Sequence, residues 1–392
     1  MPWQESSPMS ERLKFVQACL SRREQISEIC DRFGISRKTG QKWLSRFREF
    51  GEAGLSTRSH APQQQRFRIE APIAARLIDL RRKHPLYGPA KLRDWLVQKE
   101  PGQHWPAAST IGELLKREGL VRPRRRHPSI GHPHLDHDRT VASAPNVVWT
   151  ADFKGQFRLG TGTYCYPLTV LDLHSHFLLR CAALPTTAVV PARRVFARLF
   201  AEYGLPEVLR TDNGVPFAQP NALGRLGALG FWWVRLGIRP EHIRPATPSE
   251  NGAHERFHKT LKAHATRPAS RSFDAQQRRF DRFRTEYNTE RPHASTLDHR
   301  PPGDGYVAST RSFSTTLPTL LYPNASAVRH VDSSGVIKWH SQRIFLSHNL
   351  AGEDVALTHT DTDALEIRFA NLILGRFDLH TQRFDPDVRW GS

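Results

Sequence analysis

Residues 205–217 read Leu205-Pro206-Glu207-Val208-Leu209-Arg210-Thr211-Asp212-Asn213-Gly214-Val215-Pro216-Phe217. The apolar run marks a strand over Glu207–Thr211, ended by Asp212, and Asn213-Gly214 forms a tight turn just beyond it. An acid at a strand end has its direction set by the backbone. Further on, Glu250-Asn251-Gly252-Ala253-His254-Glu255-Arg256-Phe257 opens a helix expected over Glu250–His264. In it Glu255, Lys259 and Lys262 fall at i, i+4 and i+7 and share one face. Phe257 and Leu261 fall on the other side, where they can pack on a sheet. A third acid, Asp152, lies within Val148-Trp149-Thr150-Ala151-Asp152-Phe153, in a strand expected over Val147–Phe157. Divalent cations such as Mg²⁺ prefer such hard oxygen ligands. Two of them held about 4 Å apart around a phosphodiester can activate an attacking hydroxyl and stabilise the leaving oxygen. Two other acids compete for the role. Glu250 sits in a Pro-Ser-Glu-Asn-Gly loop and Asp172 in Leu171-Asp172-Leu173-His174-Ser175, and both read as turn or cap residues.

The bulk composition fits a polyanionic partner. Lys and Arg total 57 against 38 Asp and Glu, a formal net charge of +19. Nucleic acid, double-stranded DNA in this reading, is favoured over membrane, since no stretch is apolar for long enough to span a bilayer. Met1–Ser10 lacks the basic start and apolar segment of a signal peptide. Cys19, Cys30, Cys165 and Cys181 show no paired spacing and read as free thiols of a reducing cytoplasm. With 392 residues the chain exceeds one compact core.

Along the chain the expected organisation is multidomain α+β. Residues 1–52 form a helix-turn-helix domain: Ile26–Phe33 is a short helix, Gly34 the break, and Ser36 the N-cap of a second helix presenting Arg37, Lys38, Gln41, Lys42, Arg46 and Arg48. An ordinary helical hairpin with solvated charges is the bland alternative. After a polar linker at 53–68, residues 69–121 repeat the theme with helices Ile73–His84, Pro89–Glu100 and Ala108–Glu118. The last of these presents Ser109, Thr110, Glu113, Lys116 and Arg117. Residues 122–144 form a basic linker, and Arg122, Arg124, Arg125 and Arg126 are expected to track phosphates. His132, His134, Asp136, His137 and Asp138 lack the spacing of a structural metal site. Residues 145–305 alternate strands (Val147–Phe157, Tyr164–Leu171, Phe177–Ala183, Glu207–Thr211, His242–Arg244) with helices in a ribonuclease H-like order. In that order the first and fourth strands are neighbours. A linker at 306–326 leads to residues 327–385, where short strands and tight turns suggest a small SH3-like β-barrel.

Three segments together resemble the integrase core of DDE transposases and retroviral integrases: Trp149-Thr-Ala-Asp152-Phe, Thr211-Asp212-Asn213-Gly214-Val-Pro-Phe217, and Asn251-Gly252-Ala-His-Glu255-Arg-Phe-His-Lys-Thr-Leu-Lys262. His84-Pro-Leu-Tyr-Gly-Pro-Ala-Lys-Leu92 and Tyr287-Asn-Thr-Glu-Arg-Pro-His293 also resemble segments of bacterial insertion-sequence transposases with tandem helix-turn-helix modules. The resemblance implies Asp152, Asp212 and Glu255 as catalytic metal ligands, with two Mg²⁺ ions per site and Mn²⁺ able to substitute. It implies cleavage at transposon ends to 3′ hydroxyls, which then attack target DNA. It also implies assembly as a homodimer or larger synaptic oligomer, in a bacterial cytoplasm at the nucleoid. Asn213, Lys259 and Lys262 are expected DNA contacts. The stretch from Asp212 to Glu255 is longer than is usual for the family, which enlarges the Pro220–Gly237 region. A non-catalytic DNA-binding regulator and a nuclease that cuts without joining are the competing readings.

Overall fold

The computed structural model describes residues 7–57, 69–121, 139–243 and 252–391. The basic segment carrying Arg122, Arg124, Arg125 and Arg126, the His/Asp cluster at 132–138, and Glu250 lie outside them. The chain divides into two compact units, Met1–Glu70 and Ala71–Ser392.

In the first unit α1 (Pro8–Leu20), α2 (Ile26–Arg32) and α3 (Arg37–Phe50) close around Phe15, Val16, Ile29, Cys30 and Leu44. Ser36 caps α3, its hydroxyl accepting from the Thr39 N–H at 3.2 Å. Gly34 takes a φ of +63° at the break between α2 and α3. Gly40 lets α3 approach closely, because a Cβ there would stand 2.6 Å from Cys30 Sγ and 2.9 Å from Phe15 Cζ.

The second unit begins with α4 (Ala71–Lys83), α5 (Pro89–Lys99) and α6 (Ala108–Arg117), which bury Leu77, Leu80, Leu92, Leu96, Ile111, Leu114 and Leu115. The Arg81 guanidinium donates to the carbonyls of Tyr87 and Leu120, tying the ends of the module together.

The central sheet contains β1 (Val148–Phe153), β2 (Phe157–Arg158), β3 (Tyr164–Asp172), β4 (Leu178–Leu184), β5 (Val208–Thr211) and β6 (Arg239–His242). Its order is β2-β3-β1-β5-β6, with β4 also on β3. Strands β1, β3 and β4 are antiparallel; β5 joins β1, and β6 joins β5, in parallel. The parallel returns run through α7 (Val189–Tyr203) and α8 (Ala228–Arg235). Two differences from the sequence reading have local causes. The first strand stops at Phe153, because Gly155 turns the chain at a φ of +78° before β2. The last strand is Arg239–His242 in place of His242–Arg244, and it includes Pro240, which an edge strand tolerates.

Side chains alternate across the sheet. Trp149 and Ala151 of β1 and Leu209 of β5 pack with Phe196, Phe200 and Trp233 of α7 and α8 on one face. The other face is covered by α9 (Gly252–Ala265) and α10 (Phe273–Thr289), whose Phe257, Leu261, Phe280, Phe283 and Tyr287 pack with Cys165, Leu171 and Cys181. A strap then crosses back: Tyr306 stacks on Phe177 at 4.2 Å, and Arg311 donates to the carbonyls of Pro206 and Gly237.

The C-terminal region holds β7 (Ala327–His330), β8 (Val336–Trp339), β9 (Gln342–Phe345), β10 (Asp354–His359), β11 (Ala364–Phe369), β12 (Leu372–Asp378) and β13 (Arg383–Trp390). Five of these form an open antiparallel sheet in the order β13-β12-β11-β10-β7, and β8 and β9 form a separate hairpin. The expected small barrel is therefore not closed among the described residues: β7 and β13 are the two edges of the sheet. Its core joins Phe231 and Val234 of α8 to Val355, Leu357, Leu365, Ile367 and Phe369.

Candidate active site

Asp152 is the fifth residue of β1, and Asp212 directly follows β5. The two strands are parallel neighbours with Ala151 opposite Thr211. The acids are thus next in register at adjacent carboxyl ends. Because Ala151 and Leu209 face α7 and α8, alternation turns Asp152 and Asp212 toward the α9 face.

The surroundings of Asp212 favour a cation. Burial raises its pKa, opposed by a hydrogen bond from the Gly214 N–H at 3.2 Å and by nearby His242. His242 supplies little charge, since burial lowers its own pKa. Its Nδ1 lies 3.2 Å from Thr211 Oγ1, and its Nε2 is buried without a hydrogen-bond partner. Arg210 is already committed: its guanidinium meets Glu241 Oε2 at 2.9 Å and donates to the Thr140 carbonyl at 2.8 Å. Burial opposes ionisation of Glu241, but hydrogen bonds from Thr140 and Arg210 and the charges of Arg210 and Arg239 hold its pKa below the usual carboxylate range. Lys154, beyond Asp152, has its pKa lowered by burial and by Lys262 and Arg267, with Asp152 acting the other way.

Glu255 lies in the first turn of α9 and is exposed. The helix is tied to the sheet by two histidines absent from the sequence argument. His254 Nδ1 stands 3.1 Å from Thr150 Oγ1, and His258 Nε2 stands 2.9 Å from Thr169 Oγ1. That threonine pairs with Asp152 and donates to its carbonyl at 3.0 Å. Helix α9 therefore runs alongside β1. Phe257 points to α10, packing on Phe283 and Tyr287. At 100° per residue Glu255 lies on the opposite flank, away from α10 and toward β5, with Lys262 on the same flank. Glu255 thus shares a side of the molecule with the two strand-end acids. Among the described residues, however, no three His, Cys, Asp or Glu side chains gather closely enough to hold a metal ion. Residues 244–251, which lead into α9, lie outside the described residues.

The expected DNA contacts occupy varied settings. Arg37, Lys38, Gln41 and Lys42 are exposed along α3, while Arg46 is half-buried. Arg12, Lys42 and Arg46 surround the Trp43 ring at 4.0, 5.0 and 5.2 Å. Ser109, Lys116 and Arg117 are exposed on α6, with Thr110 half-buried. Lys259 and Lys262 are exposed on α9. Asn213 directs its amide to the Ile243 carbonyl, and its Oδ1 is buried without a partner. The rival acid Asp172 is fully buried and holds its own turn. Its carboxylate accepts from the N–H and hydroxyl of Ser175 at 2.7 and 2.6 Å and from the Asn146 N–H at 2.7 Å. No helix among the described residues is long and apolar enough to cross a membrane.

Comparison with known proteins matches two integrase core domain models, over residues 142–248 and 236–302. A helix-turn-helix domain matches residues 11–63, and a homeodomain-like domain matches residues 39–115. The insertion element IS407 uncharacterized 31.7 kDa protein of Burkholderia multivorans is 27% identical over 59% of this chain and 79% of its own length. The Gag-Pol polyprotein of baboon endogenous virus is 28% identical over 33% of this chain, which spans 7% of that polyprotein. Among solved structures, the HTLV-2 integrase catalytic core in complex with magnesium is 12% identical, covering 42% of this chain and 99% of its own, with a TM-score of 0.33. The simian T-cell lymphotropic virus intasome in complex with the PP2A regulatory subunit B56 gamma is 15% identical, covering 81% and 99%, with a TM-score of 0.35. Residues 142–302 thus match integrase core domains and, with helix-turn-helix domains ahead of that core, the chain has the make-up of an insertion-element DDE transposase.

Proposed function

We propose that this protein is a DNA transposase that binds transposon terminal repeats, cleaves the ends to free 3′ hydroxyls and joins them to target DNA. The observation that supports it most directly is the pairing of Asp152 and Asp212 at the ends of neighbouring parallel strands, on the face that α9 covers. These two acids, with Glu255 as the third, would hold the divalent ions, two Mg²⁺ with Mn²⁺ able to replace them. All the donors are hard oxygens, and the half-buried Asp212 carboxylate lacks a strong cationic partner. The ions would lower the pKa of the attacking oxygen and stabilise charge on the scissile phosphate and leaving oxygen.

The remaining chemistry falls to the chain. Lys259 and Lys262 bind phosphates flanking the reacting one, and the exposed basic faces of α3 and α6 hold the terminal repeat. In the first step a water oxygen bonds to phosphorus and the 3′ oxygen leaves with a proton. In the second step that 3′ hydroxyl loses its proton and bonds to a target phosphorus, and the target's own 3′ oxygen leaves. One phosphodiester is made for each one broken, so joining needs no external energy source. Two ends must be cut close together, so the working form is a homodimer or larger synaptic oligomer, in a bacterial cytoplasm at the nucleoid. We assign terminal-repeat binding to residues 1–52 and 69–121, catalysis to 145–305, and a subunit- or DNA-contacting role to 327–385.

The test incubates the protein with Mg²⁺, a labelled terminal-repeat duplex and a plasmid target. Joined product from the wild type, lost in Asp212→Asn with duplex binding retained, is the expected result. Hydrolysis without joining would move the assignment to a nuclease. Duplex binding with neither reaction would leave a DNA-binding regulator.

A further inference from the structure

A cavity of about 250 Å³ opens at the other end of β1 from the paired acids. Its walls come from Thr150, from Leu171–Leu173 and His176 at the β3–β4 turn, from the first turns of α9, from the end of α10, and from Lys91 of α5. Three cations line it: Lys91, Arg256 and Arg291. Arg291 is only 8% exposed. The one carboxylate in the lining among the described residues, Asp172, has its oxygens taken up by Asn146 and Ser175. His254 also lines the cavity; it is fully buried, and its Nε2 has no hydrogen-bond partner. His176 and His293 stack at 4.4 Å on another wall.

Among the described residues of the lining, positive charge is gathered without a free carboxylate. Burial, and then the neighbouring Arg291, lowers the pKa of Lys91 to about 8, with Asp94 acting weakly in the opposite sense. Packing cations together costs free energy unless something negative joins them. The lining offers the Lys91 ammonium, the Arg256 guanidinium and one orphaned imidazole nitrogen, backed by the Arg291 guanidinium, which lies over the Tyr87 ring with its Nη1 3.3 Å from His264 Nε2, a donor set suited to a tetrahedral oxyanion.

We propose that this cavity is a phosphate-binding site that links α5 of the second helical module to the first turn of α9. On the transposase reading, the phosphate belongs to the DNA backbone, and its capture holds the turn that carries Glu255. The site itself does not depend on that reading, because binding can be measured without any strand joining.

The experiment uses the full chain, with inorganic phosphate as the probe and Lys91→Gln and Arg256→Gln as variants. Their folding is checked by circular dichroism. Phosphate should raise the Tm of the wild type more than chloride of equal ionic strength does, and isothermal titration should show binding. Both effects should disappear in either variant. Equal phosphate effects in wild type and variants would overturn the proposal, since they would mark general salting-out. A second arm titrates a short DNA duplex. If the phosphate comes from DNA, inorganic phosphate will compete with the duplex, and Lys91→Gln will lower the salt slope of binding by about one. If the source is free phosphate, the phosphate effect will still need Lys91 while duplex binding will not.

Discussion

The two ends of β1 make opposite demands on a ligand. At its carboxyl end Asp152 and Asp212 stand in register on neighbouring strands, and burial works against the charge on Asp212. At the other end Lys91, Arg256 and Arg291 share a cavity in which the single carboxylate among the described residues is already occupied. Lys154 and Lys262 stand near the acid end, but the only charged group acting on Asp212 among the described residues is His242, and the described lining of the cavity holds no free carboxylate. Both ends are built on the same strand and spanned by the same helix, with His254 tied at Thr150 and His258 tied at Thr169 beside Asp152.

The comparison breaks first if the acids are not a catalytic set. Asp212→Asn should cut end cleavage and joining by at least about 10⁴-fold, as loss of a member of a catalytic unit does. Its Tm should hold or rise slightly, because the lost charge is one that burial penalises. Glu255→Gln, at an exposed position, should lose joining comparably with no change in Tm. A Glu255 variant that joins DNA normally would confine the site to the two strand-end acids.

The next largest effect probes how the acid end is kept clear of cations. Arg210 is 8% exposed and paired with Glu241, which keeps Arg239 at 3.0 Å and Thr140 as partners, so Arg210→Ala removes charge-assisted hydrogen bonds and should cost about 1.5–3 kcal/mol in chemical denaturation. A loss below about 1 kcal/mol would mean that solvent reaches Glu241 and screens the pair beside Asp212.

The basic end should show itself in pH dependence. Burial, and then Arg291, lowers the pKa of His264 to about 4, while burial and His176 lower that of His293 to about 3. In the unfolded chain both titrate near 6.5. The unfolded state therefore takes up protons first as the pH falls, and stability present above about 6.5 is lost progressively toward about 4. Thermal melts from about pH 7 to about pH 4.5 should show that decline, and His293→Gln should flatten part of it. The smallest effect concerns the helical modules. Lys38→Ala or Lys116→Ala should weaken duplex binding across all sequences and reduce its salt slope by about one, as loss of a phosphate contact does.

Much of the acid end could be read from the sequence, because it rests on local rules. Val208 and Leu209 mark the strand, Asn213-Gly214 marks its end, and Phe257 and Leu261 mark the buried side of α9. The basic end could not be read that way. Lys91, Arg256 and Arg291 are far apart in sequence, and each looks like a solvated charge until α5, α9 and α10 bring them together. The histidines that tie α9 down share their turns with the more conspicuous Glu255–Lys262 face, and their signal is only that a polar residue at a buried helical position needs a partner. Strand β13 is hard to read because Arg383–Trp390 carries Pro386 and several charges, a pattern suited to an edge strand and not to an apolar alternation.

The register of β1 against β5 also sets where the gene can tolerate change. Residues added or removed in the surface turns around α7 alter a connection and leave Ala151 opposite Thr211. A single residue gained or lost inside Val208–Thr211 would instead turn Asp212 to the α7 and α8 face, because side chains alternate with a period of two. Copies of this gene that drift by insertion and deletion should therefore keep a working acid pair through many changes of loop length and lose it in one step within four residues of β5.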